Sequence, residues 1–89
     1  MFVMFYEPAP GFLSKARLYF PAHRARLEEF HGRGVLLGAG PLEDPRDGSS
    51  MGLFTTREAA EEFVKDDPFV VNGVVGRWRI REWADVFGS

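Results

Sequence analysis

The residues in this 89-residue chain best suited to moving a proton are a histidine and an aspartate far apart in sequence, His23 in "FPAHRARLEEFH" and Asp67 in "EEFVKDDPFVVNGV". Imidazole is the side chain whose charge ordinarily changes near neutral pH, and a carboxylate beside it orients the ring and stabilises its protonated form. Such a pair suits abstraction of a proton next to a carbonyl or lactone, with neutral His23 as base and Asp67 as its partner. The enolate that would develop needs donors. Candidates are the backbone amides around Gly38 to Gly40, the hydroxyls of Ser49 and Ser50, and the guanidinium groups of Arg17 and Arg24. Each has an ordinary structural reading beside the functional one: glycine easing a crowded strand, serine making a turn, arginine in solvent.

Other chemistries are poorly supplied. There is no cysteine, and two histidines eight residues apart on one helix do not form a compact ligand set, so no metal site is expected. "GVLLGAGP" lacks the phosphate-loop lysine and the dinucleotide glycine spacing, so no required cofactor is expected either. The second histidine, His31, falls near a helix end, where it is expected to be partly exposed and to cap the last carbonyls.

The elements that must position the pair follow from pattern. "FVMFYE", Phe2 to Glu7, is aromatic-rich and stopped by "PAPG", hence strand 1. The segment from Phe12 to Phe20 reads as a helical turn or an ordered loop. Pro21 is well placed to begin the first helix, which runs to about Arg33 and exits at Gly32 and Gly34. Val35 to Leu42 is strand 2, "EDPRDGSS" a hairpin loop, and Met51 to Thr55 strand 3. Thr55 with Glu58 makes a capping-box pattern for the second helix, "REAAEEFVKD", and Pro68 disfavours helical geometry at Asp67. Val74 to Trp83 is strand 4, with Val74, Trp78 and Ile80 on one side and Val75, Arg77, Arg79, Arg81 and Trp83 on the other.

The order is β-α-β-β-α-β, an α+β fold of ferredoxin-like type with both helices on one face of a four-stranded antiparallel sheet. On the first helix Tyr19, Phe20, His23, Leu27 and Phe30 share an arc. On the second, Asp67 stands four after Phe63 and three after Val64, inside the apolar stripe, whereas Asp66 falls at its margin. The topology makes the start of the first helix and the finish of the second neighbours, so His23 and Asp67 are expected within reach of each other. With His23 in a first turn and Asp67 in a last turn, the helix ends disfavour both charges while mutual attraction favours them, and the two should titrate as a unit. The same spacing equally supports a purely structural His–Asp hydrogen bond tying one helix to the other.

Bulk properties narrow the partners. The length allows a single domain, residues 1–89, with 45% hydrophobic residues and nine Phe. A net charge of −2 without basic blocks gives no electrostatic reason to bind nucleic acid. "MFVMFYEP" is too short for a signal peptide or a membrane span, so no membrane contact and a cytoplasmic location are expected. Strand 1 carries large apolar residues on both faces, which asks for cover on the face without helices. A second copy packed sheet to sheet is the simplest cover, with the strand 4 arginines either on or near that interface or on a solvated edge strand.

The run "RLYFPAHRARLEEFHGRGVLLGAGPL", then "EAAEEFVKDDPFVVNGVV" and the closing strand "RWRIREW", resembles the YCII (YciI-like) family of small bacterial proteins over nearly the whole chain. The resemblance implies a subunit of the dimeric α+β barrel type, a homodimer, and an active site on a His–Asp pair at the positions of His23 and Asp67. Some members resemble muconolactone isomerases and dehalogenating enzymes of aromatic breakdown. The expectation is a small-molecule enzyme of isomerase, lyase or dehalogenase type. Its alternative is a small-ligand-binding or accessory domain in which the His–Asp pair is structural.

Overall fold

A computed structural model describes residues 1–44 and 47–88. Its elements are β1 (Phe2–Pro8), α1 (Phe12–Gly32), β2 (Leu36–Pro41), β3 (Ser50–Phe54), α2 (Arg57–Asp66), the single turn α3 (Pro68–Val71) and β4 (Val75–Glu82). The strands form one antiparallel sheet in the order β2-β3-β1-β4, as the ferredoxin-like reading requires. Part of the expected hairpin loop, Pro45 and Arg46, lies outside the described residues.

The first helix is longer than its sequence suggests. It begins at Phe12, after the left-handed Gly11, and carries Pro21 inside rather than at its start. An internal proline gives up one helical hydrogen bond, here to the Arg17 carbonyl, and is tolerated only when surrounding structure compensates. Compensation comes from the second half of the helix. There Phe30 is buried, Leu27 packs against the core, and Arg26 donates from Nε to the Phe63 carbonyl at 3.1 Å and from Nη2 to the Glu62 carbonyl at 2.8 Å. Leu13, Leu18 and Phe20 in the first half remain exposed.

The core lies between the helices and one sheet face. Met4 and Tyr6 from β1, Leu36 from β2 and Phe54 from β3 meet Phe30, Ala59, Ala60, Phe63 and Val64. Phe30 and Phe63 pack edge to face with ring centroids 5.2 Å apart, and Phe54 sits 5.5 Å from Phe63. Each fully buried phenylalanine contributes about 1.5–3 kcal/mol through removal of apolar surface from water. On the other sheet face Val3, Phe5, Met51 and Leu53 follow the opposite alternation, and the Arg79 guanidinium lies 5.0 Å from the Phe5 ring centroid.

Three local expectations need correction. The cap of α2 is Thr56, whose hydroxyl accepts from the Ala59 N–H at 3.1 Å, one residue beyond the capping box expected at Thr55. Thr56→Ala should cost about 1 kcal/mol, read as a lowered midpoint in urea with unchanged slope. Val75 belongs with the core rather than the open face, because a register shift at Glu7/Pro8 sets it opposite Pro8. His31 caps no helical carbonyl. Its Nδ1 lies 2.9 Å from the carbonyl of Leu36 and ties the helix exit to β2.

Candidate active site

The inward carboxylate is Asp67, with no exposed surface, while Asp66 stays in solvent. Its position is set by the joint between two helical segments. Asp67 has extended backbone angles (φ −64°, ψ 124°), as the residue before a proline prefers, so α2 ends at Asp66 and α3 starts at Pro68. Asp67 thereby becomes the N-cap of α3, and its Oδ1 accepts from the Phe69 N–H at 3.3 Å. The expected picture of a carboxylate opposed by a helix C-terminus is thus incomplete, because the same residue faces the amide end of the next turn.

His23 is not in a first turn either. With α1 starting at Phe12 it stands in the helix middle, away from the end of the macrodipole, and it meets Asp67 because α1 packs along α3. The His23 Nδ1 is 2.7 Å from Asp67 Oδ1, with 12% of the His23 side chain exposed and none of the Asp67 side chain. The Phe69 ring stacks on the imidazole at a centroid distance of 3.8 Å and an angle of 6°, and Phe63 meets its edge at 6.3 Å. A carboxylate oxygen is an acceptor, so Nδ1 is the donor of this contact, and in the neutral ring Nε2 is then the acceptor nitrogen.

The third member of the cluster is absent from the pair expected above. Tyr6 donates its phenolic hydrogen to Asp67 Oδ2 at 2.7 Å, giving a buried chain Tyr6–Asp67–His23. Its signal in the sequence is the alternation of β1, which puts Tyr6 on the helix-facing side with Phe2 and Met4, at the strand end nearest the helix joint. Burial above all, then the Asp67 charge and the hydrogen bond to it, push the Tyr6 phenol far above its ordinary value of 10.0. The unfolded chain releases this proton near pH 10 and the folded chain keeps it, so this stabilisation is complete below that pH and lost as pH rises beyond it. From about pH 10 upward the Tyr6 contribution should fall by about 1.4 kcal/mol per pH unit. Thermal melts between about pH 9 and 11 should show a steeper loss for the wild type than for Tyr6→Phe. Equal slopes would mean that the phenol ionises as readily folded as unfolded.

Tyr6, His23 and Phe69 line a cleft of about 340 Å³ between α1 and the β2–β3 side of the sheet, a volume in the range of small-ligand pockets. Its walls are mainly apolar, with Phe20, Leu27 and Leu36 among them. Of the remaining sequence candidates, Gly40, Ser50 and Arg24 also line this cleft. Arg24 is exposed and paired with Glu28 at 3.0 Å. Gly38, Ser49 and Arg17 are not among the lining residues: Gly38 pairs with Leu53, and Arg17 is exposed on α1. The Ser49 N–H donates to Asp47 Oδ1 at 2.6 Å and its carbonyl accepts from Leu42, both turn contacts. Among the described residues no group of three or more potential ligands could hold a metal ion, and no helix is long and apolar enough to cross a membrane.

A four-stranded antiparallel sheet in this order, with helices on one face and a ligand-sized cleft beneath the first of them, defines an α+β protein of ferredoxin-like fold. Within that class the chain belongs to the YCII family: the model of the YCII-related domain matches residues 1–84. It is 31% identical to "Protein YciI" of Escherichia coli O6:H1, covering 98% of this chain and 99% of that one, and equally to "Protein YciI" of Shigella flexneri. Among solved structures it resembles the 5-chloro-2-hydroxyhydroquinone dehydrochlorinase TftG of Burkholderia phenoliruptrix AC1100 in complex with 2,5-dihydroxybenzoquinone. There the TM-score is 0.72 at 23% identity, over 100% of both chains. Rv0793 of Mycobacterium tuberculosis matches with a TM-score of 0.53 at 14% identity, over 94% of this chain and 93% of that one.

Proposed function

We propose that the protein is a small-molecule enzyme of isomerase, lyase or dehalogenase type in which His23 Nε2 takes a proton from a compact carbonyl or hydroxyquinone-like substrate. The observation that carries this reading is that His23 lines a ligand-sized cleft with Nδ1 already engaged by Asp67. Asp67 orients the imidazole and stabilises its protonated form, while the Ser50 hydroxyl, the Gly40 backbone and the Arg24 guanidinium hold the negative charge that develops on the substrate. The apolar walls favour a flat, weakly charged ring over a polyanion. In a dehydrochlorination the base would receive the proton while chloride departs with its bonding electrons.

The similar fold of a dehydrochlorinase that holds 2,5-dihydroxybenzoquinone supplies the first probes. Calorimetry should detect 2,5-dihydroxybenzoquinone binding, and incubation with 5-chloro-2-hydroxyhydroquinone should release chloride. Binding that His23→Ala weakens, with neither chloride release nor isomerised product by mass spectrometry, would favour a ligand-binding domain instead. That second reading is supported by the complete burial of Asp67 and its use as a helix cap. Absence of both binding and turnover across small carbonyl and quinone compounds would remove the catalytic reading.

The proposed assembly is a homodimer through the open sheet face. The exposed arginines of β4, with Arg79 over Phe5, would pair with acids of the second copy. The proposed setting is the cytoplasm.

A further inference from the structure

We infer that Tyr6 is a positioning residue for His23: by donating to Asp67 Oδ2 it holds the carboxylate so that Oδ1 stays on Nδ1, leaving Nε2 as the ring's acceptor. The inference rests on the proposed role of His23 as base and specifies what keeps that base in its working form.

The geometry is one of opposed constraints on a single buried group. Asp67 accepts from Tyr6 at 2.7 Å on one oxygen, and on the other from His23 at 2.7 Å and the Phe69 N–H at 3.3 Å. A carboxylate held from both oxygens cannot swing about its terminal bond without breaking a strong contact. With Oδ2 released, only the helix-cap contact and the imidazole itself fix its plane. The imidazole would then lose the fixed acceptor that makes protonation at Nδ1 the better choice.

Tyr6 is well suited to this task. It lies on β1, which is paired on both sides, with Ser50 and Trp78 as its cross-strand neighbours, so its Cα is fixed by the centre of the sheet. Only 7% of the residue is exposed. Burial and the adjacent carboxylate keep the phenol protonated, so it serves Asp67 as a donor and does not compete for the histidine's proton. Tyr6 also borders the cleft, yet its hydroxyl is spent on Asp67, which separates its role from that of a group binding substrate.

The test is the tautomer of His23, read by long-range ¹H–¹⁵N spectra of histidine-labelled protein under conditions where the ring is neutral. A His31→Gln variant assigns the two imidazoles. The wild type should show His23 with the hydrogen on Nδ1, and Tyr6→Phe should show a substantial Nε2–H population. With a substrate in hand, Tyr6→Phe should lower kcat about 10-fold or more while KM changes little. If Tyr6→Phe folds but keeps the pure Nδ1–H tautomer, the inference is overturned, whatever happens to its melting temperature. Should Tyr6→Phe fail to fold, 3-fluorotyrosine incorporated in a Tyr19→Phe background replaces it. The more acidic phenol should then shift the His23 nitrogen resonances, and unchanged resonances would also overturn the inference. Because the tautomer is read without turnover, a protein with the predicted tautomers but no enzymatic activity would refute the proposed base and leave the positioning role standing.

Discussion

Replacing Asp67 with alanine is expected to lower folding stability by about 3–5 kcal/mol, a large share of the roughly 5–15 kcal/mol available to a domain. The substitution strips the acceptor from two buried donors, the Tyr6 hydroxyl and His23 Nδ1, and removes the cap of α3. An orphaned buried donor costs about 1–3 kcal/mol and a lost cap about 1 kcal/mol, so the expected total does not depend on strong ionic attraction. His23 can recover part of the loss by turning toward the cleft, whereas Tyr6, on the central sheet, cannot. Asp67→Asn should fall between the wild type and alanine, because an amide offers one acceptor oxygen and sets an NH₂ against one of the two donors. Urea denaturation followed by circular dichroism measures both. An alanine variant within about 1 kcal/mol of the wild type would show that the buried contacts contribute little and that water replaces them.

The opposite balance is expected at His23. Its removal leaves Asp67 with the Tyr6 hydroxyl and the Phe69 N–H as donors, so no buried donor is orphaned and the cost should be about 1–2 kcal/mol, chiefly lost stacking on Phe69. Turnover should fall about 10²–10⁴-fold in kcat, the usual contribution of a positioned general base. The change in KM should be small if the base acts only as the transition state forms. Steady-state chloride release or isomer formation, measured beside the urea midpoint, separates the two effects. A His23→Ala variant with unchanged kcat on a substrate that the wild type turns over would exclude His23 as the base.

The fold was largely legible because alternation and helical periods report which face is buried. The same periods pointed Asp67 inward and left Asp66 at the margin of the stripe, and topology brought His23 to Asp67 across forty-four residues. What remained illegible has physical reasons. Pro21 fits the first position of a helix so well that its place inside α1 is invisible locally; only the packing of Phe30 and the Arg26 contacts with α2 show why the helix survives it. Two adjacent threonines offer the same capping chemistry, and backbone geometry selects Thr56. A register shift at Glu7/Pro8 moves Val75 to the core, and no side-chain pattern encodes it. The face of Tyr6 was readable from β1, but alternation says nothing about which oxygen a hydroxyl will meet.

The single carboxylate of Asp67 ends one helical segment, starts the next and anchors two rings. A mutational survey scored by protein abundance and one scored by turnover would therefore both flag this position, and neither alone would reveal why. His23 is where the two surveys should part company. Natural drift has little freedom at Asp67 even in a descendant that has abandoned its reaction, so a retained aspartate there is weak testimony to retained chemistry, and the state of its imidazole neighbour is the more informative witness.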